Sequence, residues 1–186
     1  MISTKRQKHC FMEKKMTQRI KTYTWQDVEN AVRNIAMQMY KDNWRPDYIV
    51  GITRGGLVPA VLLSHMTGIP MHTLCVQLAN EDLEENTESN CWMAEDAFNG
   101  KNILIVDDIN DTGATFNWII KDWQASCFPE EENGWNSVWN NNVRFATLTD
   151  NLASEFTEHC AYTCHEINKA EQDVWLVYPW ENVGEY

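Results

Sequence analysis

The chain has 186 residues, of which 44% are hydrophobic, so it can bury a sizeable core and suits one domain. Its formal net charge of −12 argues against a general nucleic-acid binder, because phosphate backbones are bound through lysine and arginine. No segment approaches the length of a membrane span, and the N-terminal region lacks the apolar core of a signal peptide. We therefore expect a cytoplasmic protein whose six cysteines are reduced.

Residues 1–23 are predicted to be a basic N-terminal tail. Seven lysines and arginines stand against one glutamate in residues 1–21, whereas the rest of the chain is strongly acidic. A basic tail that precedes the first packed element is more often solvated than bound to nucleic acid. We expect neither nucleic acid nor a membrane among the partners.

A helix is predicted over residues 25–42. Thr24 and Asp27 match a helix N-cap and its third-position acid. Apolar residues then recur at helical spacing and form one stripe that would pack on the core. The stripe consists of Val28, Ala31, Val32, Ile35 and Met39.

A strand, a glycine-containing loop, a helix and a second strand follow. The strands are predicted over residues 48–52 and 71–78, and the helix over residues 57–66. The loop after the first strand contains Arg54-Gly55-Gly56, whose backbone N–H groups and guanidinium could hold an anion. The alternative is an exposed turn with a solvated arginine.

Two polar inserts interrupt the pattern. Residues 79–100 carry seven acids and no lysine or arginine, and we predict a long acidic loop that is functional or disordered. Residues 126–142 are rich in asparagine and glutamate, with Trp135 and Trp139 on one possible helical turn. A further strand is predicted over residues 143–148. Strands that alternate with helices indicate a parallel α/β core.

The most informative segment lies between these inserts. Residues 103–106 form a short apolar run typical of a buried parallel strand, and residues 113–125 have the apolar spacing of a helix. Such a strand-to-helix turn lies where open α/β folds place ligands. The N–H groups at the helix start suit a phosphate, and the acids just before it suit sugar hydroxyls or a divalent metal. The alternative is an ordinary helix with Asp111 or Thr112 as N-cap.

Three segments resemble type I phosphoribosyltransferases. Residues 106–115 (VDDINDTGAT) resemble the signature that binds phosphoribosyl pyrophosphate (PRPP). Residues 47–60 (DYIVGITRGGLVPA) resemble the pyrophosphate loop of xanthine-guanine phosphoribosyltransferases, and residues 173–181 (DVWLVYPWE) resemble their base-binding hood. The resemblance implies an α/β fold with a parallel sheet flanked by helices. It implies a core over residues 24–150 and a small C-terminal hood over residues 151–186, in one compact domain.

The resemblance also implies roles for individual residues on the PRPP side. Arg54 and Gly55 would hold the pyrophosphate, and Asp107 and Asp108 the ribose hydroxyls, with Asp108 in contact with Mg²⁺. The remainder of the signature would complete the substrate site and clamp the 5′-phosphate; it consists of Ile109, Asn110, Asp111, Thr112, Gly113, Ala114 and Thr115.

On the acceptor side, the resemblance makes Asp111 the proton-transfer group for a ring nitrogen of the base. Trp175 would stack on the base, and the backbone carbonyl of Leu176 would contact its exocyclic group. The implied activity joins PRPP to guanine, xanthine or hypoxanthine with Mg²⁺, giving a nucleoside monophosphate and pyrophosphate. Family members usually form homo-oligomers.

Two departures from the family keep alternatives open. The family's active-site loop normally carries basic residues, but residues 55–100 contain no lysine or arginine. Purine enzymes usually place a lysine near residues 146–150 to contact the 6-oxo group, and this chain has none there. A non-catalytic nucleotide- or PRPP-binding regulator, and a transferase for a non-purine acceptor, are the alternatives.

A zinc site is a further alternative outside these motifs. His159, Cys160, Cys164 and His165 are suitable ligands, but they lack the two-residue spacing of zinc ribbons. Cys160, Tyr162 and Cys164 also alternate as one face of a strand would.

Overall fold

The computed structural model describes residues 19–76, 90–128 and 132–181. Its main sheet has five parallel strands, in the spatial order β3-β2-β4-β5-β6. In chain order these strands are β2 (Tyr48–Thr53), β3 (Met71–Cys75), β4 (Ile103–Asn110), β5 (Val143–Asn151) and β6 (Cys160–Ile167). The predicted parallel α/β architecture is confirmed.

Helices cover both faces of this sheet. Leu104 of β4 belongs to one buried cluster with α1 (Trp25–Lys41) and α2 (Leu57–Thr67). Its neighbour Ile105 belongs to the other cluster, with α3 (Cys91–Phe98) and α4 (Ala114–Ser126). Because successive side chains of a strand point to opposite faces, a sheet covered on both sides requires strands that are apolar throughout.

The first helix forms as its sequence predicts. Thr24 and Asp27 make a reciprocal capping box, in which Asp27 N–H donates to Thr24 Oγ1 and Thr24 N–H donates to Asp27 Oδ2. All five residues of the predicted stripe are buried. Among the described residues, no helix is long and apolar enough to cross a membrane.

A second, two-stranded sheet joins the two ends of the described chain. β1 (Arg19–Thr22) pairs in parallel with β7 (Val174–Val177), so that Ile20 lies opposite Trp175. The sequence placed residues 19–22 in the basic tail, whereas the structure makes them part of the hood. All four side chains of β1 are exposed. Local periodicity therefore could not reveal a strand that is held by its backbone partner.

The acidic insert also contains structure that its composition concealed. Residues 91–98 form α3, with Met93, Ala94 and Ala97 buried against the sheet, so the predicted loop is wrong over this part. Residues 77–89 lie outside the described part of the chain. They include most of the remaining insert and the predicted end of the second strand at residue 78.

The second insert packs against the core. A short helix, α5 (Glu132–Trp135), follows α4. The rings of Trp135 and Trp139 are stacked with centroids 5.5 Å apart, and both are buried. β4 and β5 extend past their predicted ends to residues 110 and 151. These extensions carry polar side chains along the carboxyl edge of the sheet.

Candidate active site

The glycine loop after β2 lies directly against the end of β4. An added Cβ at Gly55 would lie 2.2 Å from Asp108 Oδ2, and one at Gly56 would lie 2.3 Å from the carbonyl oxygen of Val106. Neither position has room for a side chain without movement of its neighbours. Arg54 is exposed beside this contact, after a cis Thr53–Arg54 peptide bond. Two predicted site segments, whose contacting residues Gly55 and Asp108 are 53 positions apart in sequence, therefore meet at one edge of the sheet.

The turn from β4 to α4 is an open cradle. Gly113 is the N-cap residue, at φ +84°, and no side chain caps the helix. The alternative assignment of Asp111 or Thr112 as N-cap is therefore wrong. Thr112 Oγ1 instead accepts a hydrogen bond from Ala114 N–H at 3.3 Å. An uncapped helix start leaves backbone N–H groups available to an anion.

A cavity of about 180 Å³ occupies this cradle. Residues 107–116 line it, which brings together all nine predicted substrate-binding residues of the signature, with Phe116 in addition. The hood supports the cradle from behind, because an added Cβ at Gly113 would lie 2.4 Å from the backbone nitrogen of Phe156. Glu155 N–H also donates to the carbonyl oxygen of Thr112 at 3.0 Å.

The two adjacent carboxylates of the cradle are electrostatically strained. Burial raises the pKa of Asp107 well above its ordinary value, and the neighbouring charge of Asp108 raises that pKa further. Burial also raises the pKa of Asp108, and the carboxylate of Glu181 adds to this rise. A bound cation would relieve the repulsion between these groups.

The donor set of this pair fits Mg²⁺ that is bound partly by substrate. Mg²⁺ usually takes one or two carboxylates and completes its coordination with water and phosphate oxygens. No group of three or more His, Cys, Asp or Glu side chains in the described ranges is arranged to hold a metal by itself. The candidate zinc residues from Cys160 to His165 lie along β6, where consecutive side chains point to opposite faces.

Tyr178 connects the hood to the carboxylate pair. The sequence did not predict this connection. Its hydroxyl donates to the backbone carbonyl of Asp108 at 3.0 Å and lies 3.0 Å from Thr149 Oγ1. Its own backbone N–H donates to Glu181 Oε2 at 2.8 Å. Tyr178 is buried, and its ring stacks on that of Tyr23 at 5.1 Å. The hood therefore positions the end of β4 through a hydrogen bond.

A second cavity lies on the other side of Asp111. Its volume is about 480 Å³, and it is lined by Asp111, Thr112, Asn151, Ala153, Glu155, Lys169 and Ala170. Lys169 Nζ lies 2.8 Å from Asp111 Oδ2 in an ion pair. Sequence reasoning missed Lys169 and Asn151, because no local pattern relates residues 58 and 40 positions from Asp111.

The two predicted base-contacting residues lie on β7. The Trp175 side chain is 56% exposed, whereas Leu176 is buried in the core cluster beneath the hood. Both residues lie outside the linings of the two cavities described above. The structure therefore brings the PRPP-side residues together and leaves the aromatic face of Trp175 open to solvent.

Three comparisons identify relatives of the chain. A family model described as the phosphoribosyl transferase domain matches residues 21–179. The chain is 28% identical over 170 residues to a xanthine-guanine phosphoribosyltransferase of Cereibacter sphaeroides, covering 88% of this chain and 87% of the relative. It is 25% identical to a protein of the same name from Gluconobacter oxydans, covering 86% and 83%.

Solved structures show the same fold at lower identity. A purine phosphoribosyltransferase from Pyrococcus horikoshii superposes with a TM-score of 0.60 at 22% identity, over 90% of this chain and 97% of the other. A Helicobacter pylori xanthine-guanine-hypoxanthine phosphoribosyltransferase gives 0.57 at 15% identity, over 88% and 94%. The predicted type I fold is confirmed. Since the family model spans most of the sequence, the chain belongs to the phosphoribosyltransferase family, and the predicted enzyme class, a glycosyltransferase, is confirmed.

Proposed function

We propose that this enzyme transfers the phosphoribosyl group of PRPP to a purine base, releasing pyrophosphate and a nucleoside monophosphate. One observation carries the proposal: the glycine loop touches Asp108 at the mouth of an uncapped helix start, while Asp111 separates that cradle from a second cavity. A sugar phosphate and an acceptor placed in these two cavities would meet at Asp111.

Each part of the cradle suits one part of PRPP. The backbone N–H groups of Thr112, Gly113 and Thr115 would hold the 5′-phosphate, as helix starts commonly do, while Ala114 N–H donates to Thr112 Oγ1. Asp107 and Asp108 would accept hydrogen bonds from the ribose hydroxyls. The exposed guanidinium of Arg54 and the backbone of Gly55 would hold the pyrophosphate.

Mg²⁺ would be held by Asp108 together with oxygens of PRPP. When bound, it would offset the negative charge that grows on the departing pyrophosphate. The raised pKa values of Asp107 and Asp108 support this assignment, because a pair of half-buried carboxylates is stabilised by a cation more than by solvent.

The reaction exchanges one bond at C1 of the ribose for another. A ring nitrogen of the base forms the new bond with its lone pair, and the bond from C1 to pyrophosphate breaks, so that pyrophosphate leaves with the electron pair. The proton on the imidazole ring of the base passes to Asp111. Arg54 stabilises the leaving group electrostatically, and Asp111 acts as a general base.

A direct assay tests this proposal. The protein is mixed with Mg²⁺, PRPP and, separately, guanine, xanthine, hypoxanthine, adenine and uracil, and released pyrophosphate is measured. We expect turnover with at least one of the first three bases. Turnover with uracil alone would overturn the purine assignment.

A PRPP- or nucleotide-binding regulator is the second candidate. The absence of lysine and arginine from residues 55–100 favours it, because that stretch supplies no positive charge to the leaving pyrophosphate. Saturable PRPP binding without turnover on any base would establish this role in place of the transferase.

A further inference from the structure

We propose that Tyr178 is a positioning residue for the metal contact. Its hydroxyl is the last member of a chain of buried hydroxyl groups. It fixes the peptide of Asp108, and thereby the carboxylate that would hold Mg²⁺ together with PRPP. This inference rests on the proposed function, because it takes Asp108 as the contact for Mg²⁺. It gives a residue of the hood segment a part in binding PRPP, which no motif in the sequence indicated.

The main chain of Asp108 is held on both sides by side chains. The ladder between β2 and β4 ends before this residue, so β2 does not fix its position. Instead, Asp108 N–H donates to Asp107 Oδ1 at 2.9 Å, and the Asp108 carbonyl oxygen accepts from the Tyr178 hydroxyl at 3.0 Å. The carboxylate itself packs closely on Gly55, where an added Cβ would lie 2.2 Å from Asp108 Oδ2. A shift of this peptide would therefore move the carboxylate out of its place.

The hydroxyl groups behind Asp108 form a chain with one direction. Tyr23 Oη lies 3.2 Å from Thr149 Oγ1, which lies 3.0 Å from Tyr178 Oη. With the contact to the Asp108 carbonyl, three links stand in a row, and three hydroxyl protons are present to make them. A carbonyl oxygen can only accept, so the Tyr178 proton points to Asp108. All three links then form only if Thr149 donates to Tyr178 and Tyr23 donates to Thr149.

The chain is shielded from water. Thr149 is 0% exposed, and Tyr23 and Tyr178 are 5% and 2% exposed. In such surroundings consecutive hydrogen bonds strengthen one another, and a bond left unmade is costly. The Tyr178 ring also stacks on the rings of Tyr23 and Trp180, with centroids 5.1 and 4.9 Å away. Tyr178→Phe therefore removes the hydroxyl and keeps the stacking that holds the ring.

Binding of PRPP with and without Mg²⁺ tests the inference. The dissociation constant of PRPP is measured by titration calorimetry in excess Mg²⁺ and, separately, in EDTA. We expect Tyr178→Phe to weaken binding in Mg²⁺ about 3- to 10-fold, the range for one net hydrogen bond. In EDTA the change should stay below about 2-fold, because without the metal Asp108 keeps only its contact to a ribose hydroxyl.

Two matched variants each remove a buried hydroxyl that also makes two hydrogen bonds. Tyr162 Oη donates to Asp42 Oδ2 at 3.1 Å and accepts from the guanidinium of Arg144, near the amino end of β5. Tyr162→Phe should leave PRPP binding unchanged. Thr149→Val breaks the chain one step earlier and leaves the last bond, from Tyr178, in place. It should weaken binding in Mg²⁺ by less than about 2-fold. All three variants should lower the melting temperature by comparable amounts.

The outcomes separate a positioning role from a structural one, and this inference from the proposed function. Losses of PRPP affinity that follow the melting temperature in all three variants would overturn the inference. An equal loss in Mg²⁺ and in EDTA for Tyr178→Phe, or no loss at all, would also overturn it. In each of these cases the wild type still binds PRPP, so the transferase proposal stands. A wild type that binds no PRPP in Mg²⁺ would overturn both.

Discussion

The two halves of the candidate site are built in different ways. The cradle comes from ten consecutive residues at the end of a central strand, whose preceding residues 103–106 are at most 1% exposed. The hood comes from β1 and β7, four residues each, separated by more than 150 residues in sequence, with β1 fully exposed. The phosphate half is thus set by a local motif on a rigid core, and the acceptor half by long-range pairing. Substitutions should therefore affect PRPP and acceptor separately.

Asp111 lies between the halves and should give the largest effect. Asp111→Asn keeps the shape but removes the proton acceptor, so kcat should fall about 10²- to 10⁴-fold. PRPP affinity, measured by titration calorimetry, should change much less. Asp96→Asn, which breaks the remote pair with Lys101, is the control. Equal losses in kcat and PRPP affinity would contradict the assignment of Asp111 as the general base.

Gly55→Ala should damage the cradle and spare the hood. The new Cβ would displace the Asp108 carboxylate, and a misplacement of about 1 Å can cost about 100-fold. We expect this loss in PRPP affinity and in kcat/KM for PRPP. Gly68→Ala is the matched control, because Gly68 has φ +67° and nothing within 4 Å of an added Cβ. It should lower the melting temperature alone. Normal PRPP affinity in Gly55→Ala would show that the loop does not form the pyrophosphate site.

Trp175→Ala should weaken the binding of the acceptor and leave the binding of PRPP unchanged. Loss of a stacking ring costs about 1–3 kcal/mol per base, so KM for the acceptor should rise while PRPP affinity is retained. Because the side chain is 56% exposed, the melting temperature should change little. Tyr40→Ala, at an exposed aromatic of α1, controls for loss of surface area. An unchanged KM would exclude Trp175 from the acceptor site.

The smallest effect concerns stability and its dependence on pH. The raised pKa of Asp108 means that the folded state holds a proton that the unfolded state has already lost. The free energy of unfolding should therefore fall as pH rises from about 4. Asp108→Asn removes this penalty and should stabilise the protein by about 1–2 kcal/mol at pH 7, the size typical of stabilising substitutions.

Thermal unfolding from pH 3 to pH 8 measures this effect. The difference between Asp108→Asn and the wild type should vanish near pH 3, where both states are protonated, and Mg²⁺ with PRPP should stabilise the wild type alone. Glu29→Gln, in an exposed pair with Arg33, should change stability by less than about 0.5 kcal/mol. If the difference in free energy of unfolding between the two proteins did not vary with pH, burial would not raise the pKa of Asp108.

The sequence predicted what local physics determines. The end of β4 was recognisable because an apolar run, three acids and a Thr-Gly turn are contiguous, and α1 because its cap and stripe obey helical spacing. Prediction from the sequence failed for elements and residues whose position depends on partners that are distant in the chain. α3 was hidden in an acidic stretch because only Met93, Ala94 and Ala97 face the core. Lys169 had no signal in the sequence, because its contacts are with Asp111, in the turn after β4, and with Asn151, the last residue of β5.

The pairing of β1 with β7 also determines when this small sheet can form during folding. Closing so long a loop carries a large entropic cost, which is recovered only after the intervening sheet has brought residues 19 and 174 together. A growing polypeptide at the ribosome would hold β1 unpaired until β7 had been made. We expect hydrogen exchange to show the same hierarchy, with the amides of β1 opening far more readily than those of β4.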